Sequence, residues 1–274
     1  MSTSKLTDFK VLVFDVYGTL ADWETGIYQG LKPMLSKYRA SSGWSRKQAL
    51  DAYSAVESDL QTKYPNLLYS DLLSKVHEVM EERLKAASGA PVETSTLDGN
   101  PSTIPDSTGA STSDHSVPAP LADDHVKFGQ SIQDWPIFPD SSAALHALSK
   151  HYKLVVLSNV DRVSFAHTLA KLSEGRSTDL SKSAEAYSPP ESDSEYWFPQ
   201  QCNPASKSPF TLILTAQDVQ SYKPSLHGFE VTLDVIHQNP SLHCAPKSQV
   251  LWVAQSLLHD IEPVGQLGSC QRFH

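Results

Sequence analysis

Short apolar runs alternate along the chain with longer stretches of helical periodicity. Each run holds three or four consecutive apolar residues, as expected of a strand that is buried on both faces. The runs are residues 11–14 (VLVF), 154–157 (LVVL), 212–214 (LIL) and 250–253 (VLWV). We expect no strand after Leu267, where the chain reads GSCQRFH.

Helical periodicity fills much of the chain between these runs. Apolar residues recur at spacings of three and four, which is typical of a helix with one buried face. Ser45 and Ser70 stand where the first two helices would need N-caps. The patterns fall within residues 45–60, 70–84, 144–148, 163–172 and 229–236. Strands alternating with helices predict an α/β fold with a mainly parallel, Rossmann-like sheet.

The spacing of the runs predicts two domains. The first two runs are separated by far more residues than one crossover helix needs. We therefore expect a helical cap domain at residues 22–135, inserted into an α/β core made of residues 1–21 and 136–274. Two polar stretches, residues 88–120 and 174–209, hold few apolar residues. They are predicted to be flexible insertions, with phosphorylation-controlled docking segments as the alternative.

Composition narrows the classes of function. The net charge of −9 disfavours nucleic acid as a partner, although a small anionic substrate needs only a local positive site. Three cysteines without a CxxC spacing make a disulfide framework or a zinc site an unattractive hypothesis. No stretch resembles a signal peptide or a membrane span, so we expect a cytoplasmic protein without a membrane partner.

Polar residues follow the predicted strands in a suggestive order. Asp15 follows the first run and Ser158-Asn159 follows the second, while Lys223 and Asp260 come after the third and fourth. In an open parallel sheet the carboxyl ends of the strands border one crevice, where ligands bind. Each residue alone is explained by a turn, a helix cap or a solvated charge. Together they favour a site that attacks an electrophile and holds an anionic group.

Four motifs carry a resemblance to a known family. FDVYGTL, LSNVDR, SYKPS and VAQSLLHD match, in order, the motifs of the haloacid dehalogenase (HAD) superfamily. The predicted helical insertion after the first motif resembles the cap of its 2-haloacid dehalogenase branch. The resemblance covers about residues 10–267 apart from the two polar stretches. It implies the HAD fold and a hydrolase.

The resemblance also implies residue roles. Asp15 would be the nucleophile that forms a covalent ester. Lys223 would pair with Asp15 and with the substrate anion, and Asp260 would orient Lys223, activate water or bind a metal. The residues implied to bind the nucleophile or the substrate are Tyr17, Thr19, Ser158 and Asn159.

Tyr17 distinguishes between two reactions. Phosphatases of this superfamily carry a second aspartate there, which protonates an alkoxide leaving group. A halide leaves without a proton, so a tyrosine at this position favours dehalogenation. An aromatic lid over the site is the structural interpretation of Tyr17.

Other residues depart from the family pattern. Bacterial 2-haloacid dehalogenases use a cap arginine for the halide, and the nearest candidates here are Arg39 and Arg46. Neither lies in a matched motif, and Arg46, next to the expected cap Ser45, is predicted to be solvated. His259 is a candidate base, because a histidine ordinarily titrates near neutrality. A hydrogen-bonded structural histidine is the favoured interpretation.

Three hypotheses follow. The leading one is a 2-haloacid dehalogenase-like hydrolase that acts on a small 2-halocarboxylate and needs no cofactor. The second is a small-metabolite phosphatase with Mg²⁺ between Asp15 and Asp260. The third is a non-catalytic regulatory protein that keeps the scaffold. A homodimer is compatible with each of them.

Overall fold

A parallel sheet forms the centre of the molecule. The computed structural model describes residues 5–89, 123–175, 184–192 and 195–273. Its strands are β1 (Val11–Phe14), β2 (Lys153–Ser158), β3 (Leu212–Thr215), β4 (Val250–Ala254) and β5 (Cys270–Phe273). The order across the sheet is β3-β2-β1-β4-β5, and all neighbours run parallel. The prediction of an α/β fold with a parallel sheet is confirmed.

The chain end departs from the prediction. The four predicted strands are present, but the expectation that no strand follows Leu267 is wrong. β5 pairs in parallel with the edge of β4, with Cys270 opposite Leu251. The segment CQRF is too short and too polar to stand out in sequence, because its strand conformation depends on the free backbone groups of β4.

Both faces of the sheet are covered. In β1, Val11 and Val13 pack in one apolar cluster, whereas Leu12 and Phe14 pack in the other. All four residues are buried. Double coverage explains why this strand is apolar without alternation.

Helices surround the sheet, and every predicted helical pattern corresponds to one of them. The longer ones are α1 (Trp23–Lys37), α2 (Arg46–Lys63), α3 (Tyr69–Ala87), α4 (Asp123–Gln130), α5 (Ser141–Leu148), α6 (Arg162–Glu174) and α9 (Leu226–Gln238). The shorter ones are α7 (Pro199–Cys202), α8 (Ala216–Val219) and α10 (Glu262–Gln266). α1 to α4 lie between β1 and β2, in the stretch where a cap was predicted; the domain boundaries stay a prediction.

Sequence analysis missed α1 and α4. α1 contains Gly26, Gly30 and Pro33, which weaken the helical signal. Gly26 and Gly30 lie directly against Trp135 and Phe128, so tertiary packing explains the small residues. The helix α1 therefore could not be predicted from its own sequence, because its small residues are explained only by the side chains that pack against them.

The two predicted caps have different outcomes. Ser45 caps α2, and it forms a reciprocal capping box with Gln48. The prediction for Ser70 is wrong, because α3 already begins at Tyr69. The Ser70 amide donates to Asp161 Oδ2 at 3.0 Å. A carboxylate distant in sequence thus satisfies an amide that a local cap would otherwise serve.

The two predicted insertions also differ. Nearly all of residues 88–120 lies outside the described residues. For residues 174–209 the flexible insertion stays a prediction, although some of the described residues pack against the sheet. Trp197 is fully buried, and its carbonyl accepts from the Ile213 amide at 2.9 Å. Tyr187 is also buried and donates to Glu174. Two aromatic side chains give this polar stretch the buried area that its composition alone does not suggest.

Candidate active site

The loop after β1 fixes one carboxylate at the end of the sheet. The Asp15 amide donates to the Val253 carbonyl at 3.1 Å, which anchors the start of the loop to β4. Gly18 has φ of +102°, a conformation that disfavours side chains. The turn brings Thr19 Oγ1 within 2.8 Å of Asp15 Oδ2, to which it donates, while the same hydroxyl accepts from the Gln255 amide at 3.0 Å.

Lys223 lies between two carboxylates. Its Nζ donates to Asp15 Oδ1 at 2.6 Å, to Asp260 Oδ1 at 2.7 Å and to the Leu157 carbonyl at 3.1 Å. These three acceptors use all three ammonium protons. The ends of β1, β2 and the segment after β4 thereby converge on one cation.

Burial and charge have opposite effects on these groups. Burial lowers the pKa of Lys223, but Asp15 and Asp260 outweigh it, so the net pKa is raised. Burial raises the pKa of Asp260 to about 6, although the ammonium of Lys223 opposes this shift. Lys223 therefore stays charged beside Asp15 throughout the physiological pH range.

Asn159 positions the lysine. Its Oδ1 accepts from the Lys223 amide at 2.7 Å, and its Nδ2 donates to the Lys223 carbonyl at 3.1 Å. Ser158 Oγ and Asp260 Oδ2 are buried and have no hydrogen-bond partner among the residues that the structure describes. A buried polar atom without a partner is unusual in a folded protein, so a bound water or a substrate is the expected partner.

Tyr17 is held as part of an aromatic wall. Its hydroxyl lies 2.9 Å from Thr168 Oγ1, and its ring packs edge-on against Trp135 at a centroid distance of 5.4 Å. Burial raises the pKa of Tyr17 well above its usual value, so the phenol stays neutral. At this position the chain therefore has no carboxylic acid and a phenol that does not ionise.

Neither arginine candidate is part of the site. Arg46 contacts Glu24 and Thr25 with its guanidinium half exposed. Neither Arg46 nor Arg39 lines the cavity in front of Asp15. The prediction that Arg46 is a solvated residue agrees with this placement.

His259 lies at the edge of the same cavity. Its Nδ1 is 3.1 Å from Ser256 Oγ, which also accepts from the His259 amide at 3.1 Å. Partial burial lowers the pKa of His259, and the charge of Lys223 lowers it further. The ring is thus tied locally to the loop after β4, as a structural role would require.

A small cavity of about 160 Å³ brings these groups together. The predicted residues that line it are Asp15, Tyr17, Ser158, Asn159, Lys223 and Asp260. Thr19 does not line the cavity and contributes through its hydrogen bond to Asp15 Oδ2. Sequence analysis missed other lining residues: Trp23, Glu57, Gln61, Tyr69, Trp135 and Gln255. For Glu57 there was a local signal, because it stands beside Val56 and four residues after Tyr53, at the border of the buried face of α2.

The fold and the strand-end site define the class of protein that this chain resembles in three dimensions, the HAD hydrolases. Neither a family model nor a curated protein matches the sequence. Among solved structures, the HAD-hydrolase YfnB from Bacillus subtilis aligns over 97% of this chain and 88% of its own, with a TM-score of 0.57 and 11% identity. That structure is described as bound to magnesium.

Two dehalogenase structures are similar as well. The defluorinating L-2-haloacid dehalogenase Rha0230 aligns over 97% of this chain and 80% of its own, with a TM-score of 0.56 and 14% identity. The L-2-haloacid dehalogenase from Xanthobacter autotrophicus covers 96% and 76%, with a TM-score of 0.54 and 14% identity. At these identities the likeness establishes the fold, and the predicted HAD resemblance is confirmed at that level.

The site residues do not fit a magnesium ion well. Asp15 and Asp260 supply two carboxylates, but the Lys223 ammonium lies within hydrogen-bond distance of both. The described residues contain no cluster of three or more His, Cys, Asp or Glu side chains suited to a metal. A divalent cation would meet a fixed positive charge where it needs oxygen ligands.

The described helices also bear on membrane association. None of them is both long enough and apolar enough to cross a bilayer.

Proposed function

We propose that this protein is a hydrolase with Asp15 as nucleophile, acting on the carbon–halogen bond of a small 2-halocarboxylate. The observation that carries the proposal is the Asp15 carboxylate, held by Thr19 and Lys223 at the mouth of a small cavity. Tyr17 occupies the position of the phosphatase acid. A volume of about 160 Å³ suits a substrate of a few heavy atoms.

The reaction would use covalent catalysis. An Asp15 oxygen attacks the halogen-bearing carbon, the carbon–halogen bond breaks, and the halide leaves with the bonding electron pair. Water then attacks the carbonyl carbon of the Asp15 ester and releases a 2-hydroxycarboxylate. The unpartnered Oδ2 of Asp260 is the candidate base for this water. With its pKa near 6, Asp260 is mostly ionised at neutral pH.

Ser158 is the candidate donor for the substrate carboxylate. Ser158 lines the cavity, and its buried Oγ has no partner among the described residues. Lys223 has no proton left to donate, so we assign it a long-range electrostatic contribution. The sequence led us to expect that Lys223 would also pair with the substrate anion. We limit that role to electrostatic attraction without a hydrogen bond.

Halide release from 2-chloropropionate tests the proposal. Wild type should release chloride, and Asp15→Asn should fall to background because an amide is a poor nucleophile. Under single turnover, mass spectrometry should locate the substrate adduct on Asp15 of wild type. Unchanged chloride release by Asp15→Asn would refute the assignment of the nucleophile.

The same preparation separates the alternatives. Hydrolysis of p-nitrophenyl phosphate that depends on Mg²⁺, without halide release, would replace the proposal with the phosphatase. A folded protein that is silent in both assays would favour the regulatory scaffold.

A further inference from the structure

The cavity in front of Asp15 offers no free cation to an entering carboxylate. Among the described residues that line it, Lys223 is the single lysine or arginine, and its three protons are already donated. Burial and the charge of Lys223 lower the pKa of His259, so this ring is mostly neutral near neutral pH. The carboxylate of a 2-halocarboxylate therefore needs neutral hydrogen-bond donors, of which we have so far assigned Ser158.

Glu57 reaches the same cavity from α2. The Tyr69 hydroxyl donates to Glu57 Oε1 at 2.5 Å, and the Tyr53 hydroxyl donates to the same oxygen at 3.2 Å. The Gln61 amide lies 3.5 Å from that oxygen as well. Among the described residues, no hydrogen bond reaches Oε2. A water or a ligand is therefore the expected partner of Oε2.

The surroundings of Glu57 favour a neutral carboxylic acid. In the described part of the chain, no lysine, arginine or histidine forms an ion pair with it. Burial raises the pKa of Glu57, although the hydroxyls of Tyr69 and Tyr53 oppose the shift. In the neutral acid, Oε1 is a carbonyl oxygen that accepts from both tyrosines, so the proton belongs to Oε2.

Other titratable groups lie on both sides of Glu57. They are Tyr53, Tyr69 and Tyr222 among the segments packed around it, and Asp15, Lys223, His259 and Asp260 across the cavity. Burial raises the pKa of all three tyrosines, which therefore stay neutral. The one cation in this set is already paired with two carboxylates, so none is left to hold Glu57 ionised.

We propose that Glu57 determines the charge of the substrate: its neutral form donates a hydrogen bond from Oε2 to the substrate carboxylate, and its ionised form excludes that carboxylate. The inference deepens the proposed function and rests on it for the class of substrate. The proton stays on Glu57, because the electron-withdrawing halogen makes a 2-halocarboxylic acid a stronger acid than a glutamate side chain. A substrate of a few heavy atoms fills a cavity of about 160 Å³, so Ser158 and Glu57 can both serve its carboxylate.

The charge of Glu57 has a direct effect on affinity. Asp15 and Asp260 already place two carboxylates against one ammonium group. An ionised Glu57 would add a third negative charge without a cation beside it. At an effective dielectric constant of about 20, its repulsion of a substrate carboxylate corresponds to at least about a 10-fold loss of affinity. Binding of an anionic ligand should therefore weaken as the pH rises through the pKa of Glu57.

Glutamine is the matched neutral replacement for Glu57. Its Oε1 accepts from the tyrosines, and its Nε2 donates where the neutral acid carries its proton. Titration calorimetry with lactate, the 2-hydroxycarboxylate that 2-chloropropionate would give, measures carboxylate binding without turnover. Near about pH 5, Glu57→Gln should bind lactate within about 3-fold of wild type, and near about pH 9 at least about 10-fold more tightly. For neutral lactamide the two proteins should differ by less than about 3-fold at either pH.

Further variants control for the hydrogen bond and for other charges. Glu57→Met removes the donor and should weaken lactate binding about 10-fold near about pH 5. Asp59→Asn removes an exposed carboxyl from the same helix and should leave the affinity for lactate at the wild-type level. Asp260 also titrates in this range, but it is present in wild type and in Glu57→Gln, so its effect cancels from their ratio. Circular dichroism checks that each variant is folded.

The outcomes separate this inference from the proposed reaction. Equal lactate affinities of wild type and Glu57→Gln at every pH would overturn the role of Glu57, as would a wild type that binds no lactate. Tighter binding by Glu57→Gln already near about pH 5 would also overturn it, because Glu57 would then be ionised throughout. Halide release by wild type in these cases leaves the Asp15 hydrolase standing. The expected lactate pattern without any halide release removes the reaction and supports carboxylate recognition by Glu57.

Discussion

Replacement of Lys223 by methionine is the most direct perturbation of the site. Methionine has a similar length but no charge, so two carboxylates would face each other without their cation. The side chains of Lys223, Asp15 and Asp260 are only 4%, 10% and 4% exposed, so solvent offers little compensation. Loss of one partner from a buried charged group costs about 3–5 kcal/mol. For a chain of this size we expect the Tm to fall by about 10 °C.

The loss of stability in Lys223→Met should depend on pH in a definite direction. Burial already raises the pKa of Asp260 to about 6 in the presence of Lys223, and loss of the ammonium raises it further. The folded variant then binds more protons than its unfolded chain, so its stability falls as the pH rises. The deficit of Lys223→Met should therefore be largest near about pH 8 and smaller near about pH 5.

Urea unfolding followed by circular dichroism measures this effect at both pH values. The double variant Lys223→Met/Asp260→Asn removes one of the two carboxylates and should regain about 1–2 kcal/mol. A deficit in Lys223→Met that is below about 1 kcal/mol, or that does not change with pH, would refute the reasoning. Such a result would mean that water, and not the protein, solvates these carboxylates.

Two further predictions concern stability. In Gly26→Ala, the new Cβ would lie 2.2 Å from Cδ1 of Trp135, which is 2% exposed, so overpacking should lower the unfolding free energy by about 1–3 kcal/mol. An unchanged Tm would contradict this packing. Burial and the neighbouring His125 lower the pKa of His77 from 6.5 to about 4. As the pH falls, the unfolded chain is therefore protonated at this histidine before the folded protein is. The unfolding free energy should fall by about 3 kcal/mol between about pH 6.5 and about pH 4. In His77→Gln this loss should shrink, and an unaltered acid dependence would exclude His77 as its source.

Local sequence patterns were sufficient to predict most of the strands and helices. The run VLVF predicted β1 because a strand covered on both faces must be apolar throughout, whatever its partners are. Ser45 predicted the start of α2 because its cap is made within four residues. Ser70 failed as a cap because the amide in question is satisfied by Asp161, ninety-one residues away.

Some residues of the site could likewise be predicted from the sequence, whereas others were found only in the tertiary structure. From the sequence alone came the acidic, hydroxyl and lysine residues at the strand ends, because the carboxyl ends of parallel strands share one edge. Only the tertiary structure determined that Lys223 donates all three ammonium protons, to Asp15, to Asp260 and to the Leu157 carbonyl. It also decided that Glu57 faces the cavity and that Arg46 does not. The physical reason is that burial, hydrogen-bond partners and pKa depend on which distant segments pack together, and no local spacing encodes that.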